Sequence, residues 1–134
     1  MMYLDCEFSS FHGELMSLAL VAPTATFYEV LPLPKYMHPW VVQHVVPVLN
    51  KAPVSPGFFK QALWHFLRKN QAETVIADWP EDFAHLMFRA CGENGYMPNI
   101  QLKMELIKSG KLESEIPHHA LSDALALKKW HESL

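Results

Sequence analysis

Cysteine is scarce in this sequence. Only Cys6 and Cys91 occur in 134 residues, far apart and in no C-x-x-C pair. Neither a disulfide framework nor a zinc motif is suggested, and a reducing, cytoplasmic setting is expected. Long apolar runs are also missing. The longest, near Leu18 to Pro23, falls well short of the roughly 20 residues needed to span a bilayer. The opening Met1-Met2-Tyr3-Leu4 meets Asp5 too soon for a secretory signal peptide. Positive charge is in deficit: Lys and Arg total 11 against 14 Asp and Glu, a formal charge of −3. A protein that coats nucleic acid through a broad basic field is therefore disfavoured. An enzyme that grips one chain end is not, because bound metal can supply the positive charge locally. There is no internal repeat and no low-complexity tract.

What is present is enough apolar material for a core. Hydrophobic residues make up 50% of the chain, which suffices for a single packed domain over residues 1–134. Met2 to Phe8, Glu14 to Ala22 and Thr26 to Leu31 read as three strands. The short turn-like link Ser9-Ser10-Phe11-His12-Gly13 favours an antiparallel meander. Met37 to Leu49 has near-helical apolar spacing, with Pro47 placed awkwardly in its last turn. Ser55-Pro56 is an N-cap followed by a first-turn proline, opening a helix to about Lys69. Thr74 to Ala77 reads as a short buried strand and Glu81 to Cys91 as a helix stopped by Gly92. Asn99 to Ile107 is ambiguous, and His119 to Glu132 reads as a closing helix. The order predicts an α/β fold with a mixed sheet flanked by helices.

Three acidic motifs stand out. In Asp5-Cys6-Glu7, alternation along a strand projects Asp5 and Glu7 to one face. Two carboxylates so close are unfavourable unless a hard divalent cation joins them. Asp78-Trp79-Pro80-Glu81-Asp82 follows a strand and opens a helix, where ligands gather in α/β sheets. The same residues also suit helix capping. In His118-His119-Ala120-Leu121-Ser122-Asp123, Pro117 disfavours helix just before. His118 then lies at the helix start, while Asp123 points inward among Ala and Leu, a costly position unless paired or metal-bound.

Together these motifs resemble the DEDDh 3′→5′ exonuclease family, most closely its small stand-alone exoribonucleases of bacteria and phages. Tyr3-Leu4-Asp5-Cys6-Glu7 matches that family's first motif, and His118 to Asp123 matches its His-x-x-x-x-Asp helix. The similarity runs from Asp5 to about Leu127. It departs at the centre, where Asp78 stands at a position often held by Asn. Spacing gives the central metal role to Asp82, with Asp78 as the second candidate; likewise it picks His118, with His119 the runner-up.

The resemblance implies a ribonuclease H-like fold. It also implies two Mg²⁺ or Mn²⁺ ions held by Asp5, Glu7, Asp82 and Asp123, with Asp5 bridging. His118 would act as general base. The implied product is a nucleoside 5′-monophosphate released from the 3′ end of RNA, or of single-stranded DNA by the same chemistry. A non-catalytic nucleic-acid-binding module of the same fold is the alternative. Backbone groups of Phe8 and Ser9, together with Asp78, are the expected substrate contacts. Phe8, Phe11 and Trp40 can stack on a base, although core burial is the more common fate of such aromatics. Lys103, Lys108 and Lys111 are expected on a solvated face. The stripe of Trp40, Val41, Val45 and Val48 can serve a homodimer contact or pack on the chain's own sheet.

Overall fold

The computed structural model describes residues 1–71, 74–90 and 101–134. Five strands form one sheet: β1 (Met2–Phe8), β2 (Leu15–Val21), β3 (Thr26–Val30), β4 (Thr74–Ala77) and β5 (Lys103–Leu106). Their spatial order is β3-β2-β1-β4-β5. The β1–β2 and β2–β3 pairs are antiparallel, as the short links between them require. β4 joins β1 in parallel and β5 joins β4 in parallel, so the sheet is mixed and β1 is its central strand. Four helices complete the described fold: α1 (Pro39–His44), α2 (Pro56–Lys69), α3 (Pro80–Ala90) and α4 (Ala120–Glu132). None is long and apolar enough to cross a membrane.

Alternation along β1 organises both layers. Met2, Leu4 and Cys6 point to one face, where they meet Phe59, Leu63 and Leu67 of α2 and Leu86 of α3. Tyr3 points to the other face and packs with Ala19, Val21 and Ile76 under Ala120, Ala124 and Leu127 of α4. Asp5 and Glu7 share the Tyr3 face by the same period.

One expectation is corrected here, and one open segment is resolved. Met37 to Leu49 is not one helix: α1 ends at His44 and Val46–Val48 continues as a 3₁₀ turn. Pro47 has no N–H to give the carbonyl four residues back, and its ring would clash there, so the α-helix cannot pass it. The ambiguous segment before Ile107 contains β5, and all four of its residues are exposed at the sheet edge. Residues 99 and 100, Cys91 and the expected stop at Gly92 lie outside the described residues. The Ser55 cap is as expected: its Oγ accepts from Phe58 N at 3.2 Å, with Pro56 at the first helical position.

Val41 and Val45 pack on Met16 and Val30 of the chain's own sheet. Two of the four residues of the expected contact stripe are therefore buried within the fold.

Candidate metal centre

The C-terminal end of β1 carries the acidic pair, and two other elements bring carboxylates to it. β4 delivers Asp78 just beyond its last residue, and the first turn of α3 delivers Asp82. α4 packs on the β1–β2 face and presents Asp123 from its own first turn. The result is two groups of three. Asp5, Asp78 and Asp82 each offer an oxygen, and these oxygens lie within 4.8 Å of one another; Asp5, Glu7 and Asp123 do the same. Asp5 belongs to both. All five acidic positions singled out in the sequence thus meet at one place, and both candidates for the central residue are present.

Asp82 is 1% exposed, and its Oδ2 and the Oδ2 of Asp5 are buried without a hydrogen-bond partner among the described residues. Buried polar atoms are nearly always satisfied, so these orphaned oxygens mark a carboxylate cluster that could hold a cation. The donors are all carboxylate oxygens. That set suits a hard divalent ion such as Mg²⁺ or Mn²⁺ and has no soft sulfur or imidazole ligand that would select zinc or copper.

Without such a charge the carboxyls hold protons strongly. Burial pushes the Asp5 carboxyl well above the usual range, and the charges of Asp82, Glu7, Asp123 and Asp78 push it further. Glu7 is raised to about 9 by burial, by Asp123 and Asp82, and by its hydrogen bond to Asp123. Asp82 is raised to about 8, by burial first and then by Asp78 and Glu81. Asp123 is raised by burial, against the pull of a Ser114 hydrogen bond, the His118 charge and a bond from the His118 backbone. Asp78 is oriented differently: its Oδ2 accepts from Ser109 Oγ at 2.8 Å.

The two neighbouring histidines have distinct surroundings. His119 is buried and is the N-cap of α4, its Nδ1 accepting from Ser122 N at 3.3 Å. Its ring lies 4.5 Å from that of Tyr28, and burial lowers its pKa. His118 adopts a left-handed backbone, φ 69°, unusual for a residue with a side chain. Its ring stands edge-on to Trp40 at 4.8 Å, and Trp40 in turn stacks on His44 at 4.4 Å.

A cavity of about 460 Å³ opens above this end of β1, with Asp5, Glu7 and Asp82 on its floor. Its walls are apolar and aromatic, including Phe8, Phe11, Trp40 and Trp79. The expectation that Phe11 and Trp40 lie in the core is corrected: Phe11 is 76% exposed and Trp40 45%. The cause is local. Gly13 closes a tight turn with its N–H on Ser10 O at 2.9 Å, and a Cβ there would meet Ser10 N at 2.7 Å and collide with Ser9 Oγ. The turn throws Phe11 outward, 6.0 Å from the Trp79 ring, and Glu81 ties it to α3 by accepting from His12 N at 2.9 Å. Trp79, 43% exposed, had no signal in the sequence beyond its place between Asp78 and Pro80.

Ser9 is buried beside the cavity. Its N–H donates to Glu14 O, its carbonyl accepts from His38 N, and its Oγ accepts from Glu14 N, all at 2.9 Å. The two bonds with Glu14 close the β1–β2 turn, and the bond from His38 ties that turn to the start of α1. Phe8 keeps its place in the cavity wall, its ring 5.1 Å from His85. Lys103, Lys108 and Lys111 are exposed, as expected.

No protein-family model matches the chain, and no curated protein matches it.

Proposed function

We propose that this protein is a divalent-cation-dependent 3′→5′ exoribonuclease of the DEDDh type, on a ribonuclease H-like fold, releasing nucleoside 5′-monophosphates. The observation that carries this reading is the membership of Asp5 in both carboxylate triples. One shared corner between two oxygen sets is the arrangement a two-cation phosphodiester hydrolase needs. The three-strand antiparallel meander continued by parallel strands also supports the fold assignment.

Asp5, Glu7, Asp82 and Asp123 would hold a pair of Mg²⁺ or Mn²⁺ ions, which supply charge neutralisation at the scissile phosphate. The remaining work falls to the chain's own groups. His118 accepts the proton of the attacking water as its oxygen bonds to phosphorus. The bond from phosphorus to the penultimate O3′ breaks, and that oxygen takes a proton from solvent. The phosphate thus leaves on the 5′ side of the terminal nucleoside, and the shortened chain ends in a 3′-hydroxyl. Trp40 braces the His118 ring. Phe11 and Trp79 offer π faces at the cavity mouth to the terminal base, which stacks without regard to sequence. Three of the carboxylates line that cavity, and cations bound among them would supply the positive charge that a phosphate needs there.

The test is hydrolysis of 3′- and 5′-labelled RNA and DNA with Mn²⁺ or Mg²⁺, with Asp5→Ala as control. Stepwise shortening of the 5′-labelled RNA, lost in the control, is expected. Faster cleavage of DNA would move the substrate assignment. Intact strands in every cation would leave a nucleic-acid-binding module, detectable by retention of the same oligonucleotides.

A further inference from the structure

The exonuclease reading draws on four carboxylates, yet a fifth stands in the centre. Asp78 is not a bystander on the rim: its oxygen completes the triple with Asp5 and Asp82 as closely as Glu7 and Asp123 complete theirs. Its carboxylate is oriented by Ser109 Oγ at 2.8 Å, a contact that crosses from the segment after β5 to the end of β4. Its neighbour Asp82 is almost wholly buried with Oδ2 unpartnered among the described residues, so this triple, like the other, contains an oxygen with no protein donor.

We propose that Asp78 is a direct ligand of a second cation site, formed with Asp5 and Asp82, and that both cations bind before any substrate arrives. The inference rests on the two-cation reading above and deepens it. Mg²⁺ and Mn²⁺ at phosphoryl-transfer centres are usually held by one or two carboxylates, with substrate phosphates completing the set. Here each triple supplies three carboxylate donors from the protein alone. Neither set waits for a phosphate oxygen. Five carboxylates also outweigh the charge of two divalent ions, so the protein without substrate retains a net attraction for both. Ser109 is a positioning residue in this scheme, because its hydroxyl fixes the Asp78 carboxylate.

The experiment is Mn²⁺ binding to the intact protein without nucleic acid, followed by equilibrium dialysis and electron paramagnetic resonance. Wild type is expected to bind two ions, with the broadened spectrum of a spin-coupled pair bridged by one carboxylate. Asp78→Asn, which keeps a hydrogen-bonding side chain beside Ser109, is expected to weaken one ion by more than about tenfold and to give the spectrum of an isolated ion. Asp123→Asn should lose the other ion instead. Ser109→Ala should weaken the same ion as Asp78→Asn, by about tenfold. Two ions of unchanged affinity in Asp78→Asn would overturn Asp78 as a ligand and leave the exonuclease reading standing. A single ion in wild type would overturn the preformed second site. No bound ion at all would overturn both.

Discussion

Replacing Asp5 with Asn should stabilise the metal-free protein and destabilise the metal-loaded one relative to wild type. Asp5 sits in both triples, with carboxylate oxygens within 4.8 Å in each. Two unit charges at that spacing, at an effective dielectric of about 20, repel by about 3 kcal/mol. Near neutral pH the wild type has two ways to meet this, and both lower its stability. Asp5 either ionises against its neighbours or keeps a proton that the unfolded chain has already released. The neutral, similarly shaped Asn does neither, so in chelator near pH 8 it should gain about 2–3 kcal/mol. For a domain of this size that is about 6–15 °C in Tm.

The sign follows from the pKa directions. Asp5, Glu7 and Asp82 are all raised in the folded state, Glu7 to about 9 and Asp82 to about 8. Raised groups favour folding below the ordinary carboxylate range near pH 4, and that contribution is lost as pH climbs through the folded values. Metal-free wild type should therefore lose stability between about pH 4 and pH 9, and the advantage of Asp5→Asn should shrink towards pH 5. Cations reverse the order. Two sites each at about 100 times their dissociation constant add about 5 kcal/mol to wild type, while the variant lacks the shared ligand. The assay is calorimetry of both proteins in chelator and in Mn²⁺ across that range. A variant less stable than wild type in chelator near pH 8, or a wild type whose Tm ignores Mn²⁺, would refute the reasoning.

Four further outcomes follow from the site and its frame. His118→Ala should lower kcat by about 10²–10⁴-fold with little change in Tm. His119→Ala should instead lose the α4 cap, about 0.5–2 kcal/mol by denaturant titration, and keep cleavage. Phe11→Ala and Trp79→Ala should each raise KM for single-stranded RNA, by the roughly 1–3 kcal/mol that one stacked base is worth, with kcat less affected. Phe59→Ala, at the centre of the α2 face and fully buried, should lose about 3–5 kcal/mol of stability in urea.

The acidic centre was legible because strand and helix periods are strict. A period of two puts Asp5 and Glu7 on one face whatever surrounds them. An inward Asp123 on a helix rich in Ala and Leu calls for a partner. Spacing placed Asp82 ahead of Asp78 as the central residue, and the geometry brings both within reach of Asp5. The aromatic rim was not legible. Whether Phe11 is core or surface depends on a turn fixed by Gly13 and on a contact between His12 and Glu81, which are 69 residues apart. Trp79 becomes a wall only when the β1–β2 turn folds over it. The shape of α1 was partly legible: Pro47 marked the trouble, but the apolar spacing around it matched a longer helix.

The placement of these groups follows from what each must withstand. Five like-charged carboxylates push apart, so they can stay together only on backbone that cannot yield. Asp5 and Glu7 lie on the central strand, paired with Ala19 and Ser17 of β2, and apolar clusters cover both faces of that strand. Asp82 and Asp123 occupy first turns of helices that pack against that strand. The rim is built the other way. Phe11 rides on a surface turn tethered at an exposed contact, and Trp40 belongs to a helix of six residues. On the proposed exonuclease reading, a charged floor on buried elements and an aromatic rim on surface elements would admit bases of different size while a phosphate is held at one place. That division is what an enzyme removing any terminal nucleotide requires, because the base changes at each turnover and the phosphodiester does not.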